Sequence, residues 1–299
     1  MRSFALFVAL LVGALLIAAV LTYPAWWLVS LISVEPVHRV MHRIAMLIAL
    51  VGLVVLTRRL GLSSKDAMGY GIPRRRFIVQ LGIGFAGGVA LMLPLTGLLL
   101  GLDIRTVKPG FDGDWLGVIA GGLLTGVTVA FIEETFFRGV LFTGVARTSS
   151  AAAAVVAPSL LYASLHFLGG KLRVPADEVS WIHGFEVLSK LFERYTQPLD
   201  LLDSFVALAM LGALFALIRL RTGAIAACIG LHAAGVAFIT VLREATLVNP
   251  NAQYIGLVGS YDGVIGWAAL IWFAIIAAVI AAAIPSKAAT ESTGQTSYK

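Results

Sequence analysis

Apolar residues run along this chain in stretches of roughly 20, the length that spans the hydrocarbon core of a bilayer as an α-helix. Eight such runs stand out, near residues 4–32, 41–57, 77–102, 115–146, 150–168, 201–220, 223–243 and 264–284. They predict an all-α polytopic membrane protein with about eight transmembrane helices. The first run follows Arg2 and ends in Tyr23, Trp26 and Trp27. It is longer than a signal-peptide hydrophobic region and closes without a small-x-small cleavage site, so it reads as a retained helix. One long polar excursion, 169–200, breaks the pattern. Within its "SWIHGFEVLSKLFERY", Trp181, Phe185, Leu188 and Phe192 recur at helical spacing, with Glu186, Lys190 and Glu193 elsewhere around the wheel. That predicts one amphipathic helix lying at the membrane interface, a connector in preference to a lid or substrate guide. His183 reads there as an interfacial polar group. No internal repeat is visible. Residues 1–285 are expected to form a single transmembrane domain with its catalytic core at 115–245, and the polar tail 286–299 to be disordered.

Composition supports this reading. Of 299 residues, 59% are hydrophobic and 13% charged, against about 25% charged in soluble domains, and the mean hydropathy is +0.94. The single Cys228 excludes a disulfide framework and any cysteine-based zinc ribbon. The net charge of +6 calls for no nucleic acid, because basic cytoplasmic loops account for it. With the N-terminus inside, cytoplasmic segments hold twelve Lys and Arg and the opposite side nine; Arg138, within a span, completes the 22. The bias puts both termini in the cytoplasm, in what reads as a bacterial inner membrane.

Ionisable side chains within the spans are few, and such residues mark function by default. The fourth span carries Glu133, Glu134 and Arg138 in "FIEETFFRGV", the fifth carries His166 in "LLYASLHFL", and the seventh His232 in "CIGLHAAGVAF". Glu134 and Arg138 are four apart, acid before base, and are expected to pair on one helix face. Glu133 is rotated by about 100° and has no cation at i+3 or i+4. It is the carboxylate left for chemistry. Counted from the nearest turns at 1.5 Å per residue, Glu133, His166 and His232 lie about 20, 24 and 17 Å along their helices, near one depth in the bilayer. A desolvated glutamate beside an imidazole suits general-base activation of water, and a second imidazole can stabilise a developing oxyanion. The same three side chains can ligate zinc with an open water position, although HExxH is absent. His38 and His42, four apart in "HRVMH", also have metal-ligand spacing, but beside Arg39 and Arg43 they read as interfacial.

These residues resemble the CPBP intramembrane proteases, a family that includes type II CAAX prenyl endopeptidases and Abi-type immunity proteins. "EETFFR" matches its EExxxR motif, "YASLH" its FxxxH motif with Tyr162 for Phe, and "HAAGV" its HxxxN/D motif with Val236 at the last position. The resemblance covers roughly residues 115–245. It implies that Glu133 and His166 activate the attacking water, that Glu134 and Arg138 support them, and that His232 helps form the oxyanion hole. Val236 can neither donate a hydrogen bond nor ligate a metal, which leaves His232 alone or a neighbour such as Thr240. The family contains members described as metalloproteases and as metal-independent glutamic proteases. The metal-independent reading is preferred here, so no cofactor is expected, with zinc on Glu133, His166 and His232 as the alternative.

The expected function is thus an intramembrane endopeptidase acting on a peptide or membrane-protein substrate held in or on the lipid bilayer, prenylated or not. A non-catalytic membrane binding or immunity protein of the same fold is the alternative that Val236 keeps open. A proton-relay transporter is disfavoured, since repeated halves and paired broken helices are lacking.

Overall fold

The structure, a computed structural model, describes residues 1–110 and 113–283. The expected disordered tail at 286–299 lies outside the described residues. Helix makes up 74% of the described residues. Each of the eight expected spans is present as a helix: α1 Arg2–Ser30, α2 Val37–Arg59, α3 Arg74–Gly101, α4 Trp115–Glu134 with its continuation, α6 Ala151–His166, α8 Pro198–Thr222, α9 Ala226–Ala245 and α10 Trp267–Ala283. The continuation of α4 is a π-helix, Thr135–Leu141, followed by α5, Phe142–Thr148. Six of these helices are long and apolar enough to cross a membrane, while α6 and α10 are shorter. Leu47, Ile83 and Leu124 are 62–72% exposed, a degree of apolar exposure that a soluble surface does not sustain over whole helices. This is an all-α, polytopic integral membrane protein.

The chain forms two compact units. The first comprises Met1–Leu62 and Ser164–Leu199. Here α7, Ile182–Leu191, packs on α1 and α2 around Ala18, Ala19, Met41, Val187 and Leu191. The expected amphipathic helix is present, and it carries a second, inward face as well. Gly184, Val187 and Leu191 turn inward, while Trp181, Phe185 and Phe192 stay 44–55% exposed. Gly184 explains this: a Cβ there would sit 2.0 Å from the Ala19 carbonyl oxygen, so α7 meets α1 backbone to backbone. The aromatic side chains left outside suit a headgroup layer. His38 Nδ1 lies 2.8 Å from the Leu172 carbonyl oxygen, and its ring centroid is 6.1 Å from that of His42. His183 Nδ1 accepts from the Ser180 amide at 2.9 Å and so serves the start of α7.

The second unit, Ser63–Ala163 with Asp200 onward, is organised around α9. Glycines let its neighbours approach closely on both sides. Added Cβ atoms on Gly84 and Gly88 of α3 would lie 2.1 and 2.6 Å from the carbonyl oxygens of Ala227 and Leu231. On α4, Gly126 would press within 2.4 Å of the Ala233 carbonyl oxygen. Lipid gives helices no hydrophobic reason to associate, so close van der Waals packing of small residues must hold them together. The Gly84-xxx-Gly88 and Gly122-xxx-Gly126 pairs supply that packing. A two-stranded antiparallel ribbon, β1 Arg105–Val107 with β2 Thr246–Val248, ties the end of α3 to the end of α9 in the register Arg105↔Val248. Buried Arg105 braces it by donating to Thr246 Oγ1 at 2.7 Å and to the Gly263 carbonyl at 3.1 Å.

Gly126→Ala should therefore destabilise the detergent-purified protein by about 1–3 kcal/mol, the usual range for overpacking. Gly121→Ala on the same helix, with nothing within 4 Å of its new Cβ, should leave the thermal midpoint unchanged or slightly higher. Equal effects at the two positions would overturn the backbone-contact account.

Candidate active site

In the second unit, α4 delivers Glu133 and Glu134, and the π-helix delivers Arg138. Glu134 is fully buried. Its Oε1 accepts from Arg138 Nη1 at 3.1 Å, which realises the expected i,i+4 pair. The same oxygen lies 2.8 Å from His232 Nδ1. Because a carboxylate only accepts, Nδ1 carries a proton towards Glu134, and Nε2 is left for other partners. Nε2 faces Glu133 Oε2 at 3.9 Å. That oxygen is buried and has no hydrogen-bond partner among the described residues, although the Glu133 side chain as a whole is 30% exposed.

The two glutamates thus flank the two nitrogens of one imidazole. Sequence spacing had divided them, pairing Glu134 with Arg138 and leaving Glu133 for chemistry. The structure makes Glu134 a partner of both Arg138 and His232.

Arg138 is held from every side. Its guanidinium lies 4.7 Å from the Tyr162 ring centroid, 4.8 Å from Phe215 and 5.5 Å from Phe137. Nη2 donates to the Gly212 carbonyl at 3.0 Å. Cation–π contacts are strongest when desolvated, and here they offset part of the cost of burying the charge. Phe215 also stacks on His232 at 5.3 Å, and Tyr162 meets the same imidazole edge-on at 6.2 Å. Gly212 permits the approach of α8 to α6, since its Cβ would lie 2.9 Å from that of Ser159.

The π-helix depends on neighbours that replace its lost ladder bonds. A widened turn displaces carbonyls from the i→i−4 pattern, and each needs a donor. Arg219 Nε, on α8, donates to the Arg138 carbonyl at 3.1 Å. Gly139 packs on residue 68, where a Cβ would come within 2.7 Å of the Met68 carbonyl oxygen. Thr135 Oγ1 donates to the Phe131 carbonyl at 2.6 Å and lies 2.5 Å from the Tyr70 hydroxyl. Burial raises the Tyr70 phenol above its ordinary value of 10 and keeps it protonated at neutral pH.

The remaining expected site residues fall as follows. His166 closes α6 and belongs to the first unit, one helical turn beyond Tyr162. Val236 lies one turn beyond His232 on α9. Thr240 does not replace the missing Asn, because its hydroxyl donates to the Val236 carbonyl at 2.8 Å and it sits about 12 Å up the helix from His232. Among the described residues, no group of three or more His, Cys, Asp or Glu side chains is arranged to hold a metal ion.

A buried carboxylate, guanidinium and imidazole sharing hydrogen bonds inside apolar helices define the polar core of an integral membrane protein. Residues 115–238, from the start of α4 to most of α9, match the family model described as type II CAAX prenyl endopeptidase Rce1-like. The match supports the CPBP/CAAX protease family and, in general terms, a CAAX-type intramembrane endopeptidase. No curated protein and no solved structure matches the chain.

Arg138→Met should cost about 3–5 kcal/mol of stability in reversible unfolding, because it strands a buried carboxylate. Arg138→Lys should recover only part of that loss, since an ammonium lacks the planar fork and stacking surface. A fully stable Arg138→Met protein would show that the pair does not hold the core.

Proposed function

We propose that the protein is an endopeptidase that hydrolyses a peptide bond of a membrane-held substrate by general-base activation of water on Glu133. The observation that carries this reading is the placement of Glu133 Oε2, buried and unpartnered, 3.9 Å from an imidazole nitrogen whose opposite nitrogen is fixed by Glu134. A separation of 3.9 Å is too long for a direct hydrogen bond, and a water beside the pair can bridge both atoms. Glu133 takes a proton from water as the oxygen attacks the carbonyl carbon, and passes it to the departing amine nitrogen when the C–N bond breaks. Protonated His232 donates from Nε2 to the oxyanion, while Glu134 and Arg138 hold its ring. His166 is assigned a share in holding the water on the strength of its motif alone. No step passes through a metal.

The substrate class proposed is a peptide or membrane protein presented from the bilayer; the prenylated substrates named for the matching family are a narrower case within it. The balance of twelve to nine basic residues supports both termini in the cytoplasm of a bacterial-type inner membrane.

Glu133→Gln preserves shape and removes the base. It should lower cleavage about 10²–10⁴-fold, read as accumulation of uncut peptides when the membrane peptide profiles of wild-type and variant cells are compared. An unchanged profile together with an intact cellular phenotype would favour the non-catalytic binding reading instead. Wild-type cleavage that persists in the presence of a chelator is the result expected of a metal-independent enzyme. Val236→Asn should restore a donor one turn from His232 and raise turnover by up to about 10²-fold, measured as cleavage rate at saturating substrate.

A further inference from the structure

Within the second unit, α3, α4 and α9 enclose a groove of about 1400 Å³ that no part of the proposed chemistry uses. Its mouth carries Lys65 and Arg74, with Asp66 beside them, and Arg75 and Arg76 follow in sequence. Below the mouth the lining is apolar, with Phe77, Leu81 and Phe85 on α3 and Phe131 on α4. The groove opens sideways, where Ile78, Val127 and Phe131 are 52–55% exposed. From Arg74 to Ala86 it follows α3 for about 18 Å, close to the depth of one leaflet of a hydrocarbon core about 30 Å thick. A cationic rim above a one-leaflet apolar slot matches one kind of molecule.

We propose that this groove binds an anionic phospholipid, with its headgroup on Lys65 and Arg74 and one acyl chain lying along α3. Two basic residues against one acid leave the mouth net positive, and basic pockets at the interface end of membrane helices attract such headgroups. A free phosphate would use the rim and leave the slot untouched. The position of Tyr70 gives the site a consequence. Its ring lines the groove and stacks on Phe77 at 5.6 Å, while its hydroxyl bonds Thr135, the residue that follows Glu134. A bound acyl chain therefore presses on the residue that braces the π-helix.

The test uses the full chain reconstituted in phosphatidylcholine vesicles with or without phosphatidylglycerol of the same acyl chains, followed by native mass spectrometry of retained lipid. Wild-type protein should retain one phosphatidylglycerol in preference to phosphatidylcholine. Lys65→Ala and Arg74→Ala should each lower that preference about 5-fold, the equivalent of the ~1 kcal/mol typical of a basic residue near an anionic surface. Gly82→Phe should abolish retention of both lipids; Gly82 lines the groove and its added Cβ meets nothing within 4 Å, so the new side chain starts from open space in the slot. Glu133→Gln should retain lipid as wild type does, which separates this inference from the catalytic one. Equal retention of the two lipids, indifference to the Lys65 and Arg74 changes, or displacement of the lipid by a peptide substrate would each overturn the proposal. Retention of inorganic phosphate alone would do the same.

Discussion

The second unit depends on one buried carboxylate. Glu134 has no exposed surface, and its Oε1 serves both Arg138 and His232. An isolated carboxylate could not stay ionised at this depth, and a buried ion pair tolerates little imperfection. The surroundings follow from that constraint. The guanidinium is wrapped by three aromatic rings and capped by a carbonyl of α8, and the imidazole is stacked on one of those rings. Because Glu134 holds Nδ1 of His232, it also determines which nitrogen faces Glu133. In the proposed mechanism a stabilising interaction and a chemical one are the same hydrogen bond.

Helix packing puts that bond in place. Lipid does not drive α3, α4 and α9 together, so their separation is set by how closely backbones approach. Glycines on α3 and α4 reduce it to direct contact with α9 carbonyl oxygens. His232 is carried on the helix so gripped, which leaves its depth and rotation little freedom. Core arginines complete the frame: Arg219 satisfies the carbonyl that the π-helix displaces, and Arg105 closes the ribbon between α3 and α9.

Much of this was legible in the sequence. Runs of apolar residues located all eight helices to within a few positions, because length against bilayer thickness is a strong constraint. The Glu134–Arg138 pair followed from spacing alone. Other features were hidden for physical reasons. A π-helix depends on tertiary partners such as Tyr70, Met68 and Arg219, and no local periodicity announces it. The double role of Glu134 could not be read while each residue was placed on an ideal 100° wheel. Phe215 looked like any other apolar position in its span. The second face of α7, the one packed on α1 and α2, was not visible because Gly184, which has no side chain, contributes nothing to a hydrophobic pattern. The Gly84-xxx-Gly88 spacing, by contrast, was a readable signal.

The shortness of α6 has a consequence for the supply of water. Its 16 residues extend about 24 Å, less than a hydrocarbon core about 30 Å thick. Such mismatch is relieved by a local thinning of the bilayer. The membrane beside this helix should dimple, drawing the aqueous phase towards a depth that it would not otherwise reach. The hydrolysis proposed above needs a route for water into the oil, and an undersized helix ending in His166 would provide one without any channel having to be carved through the protein.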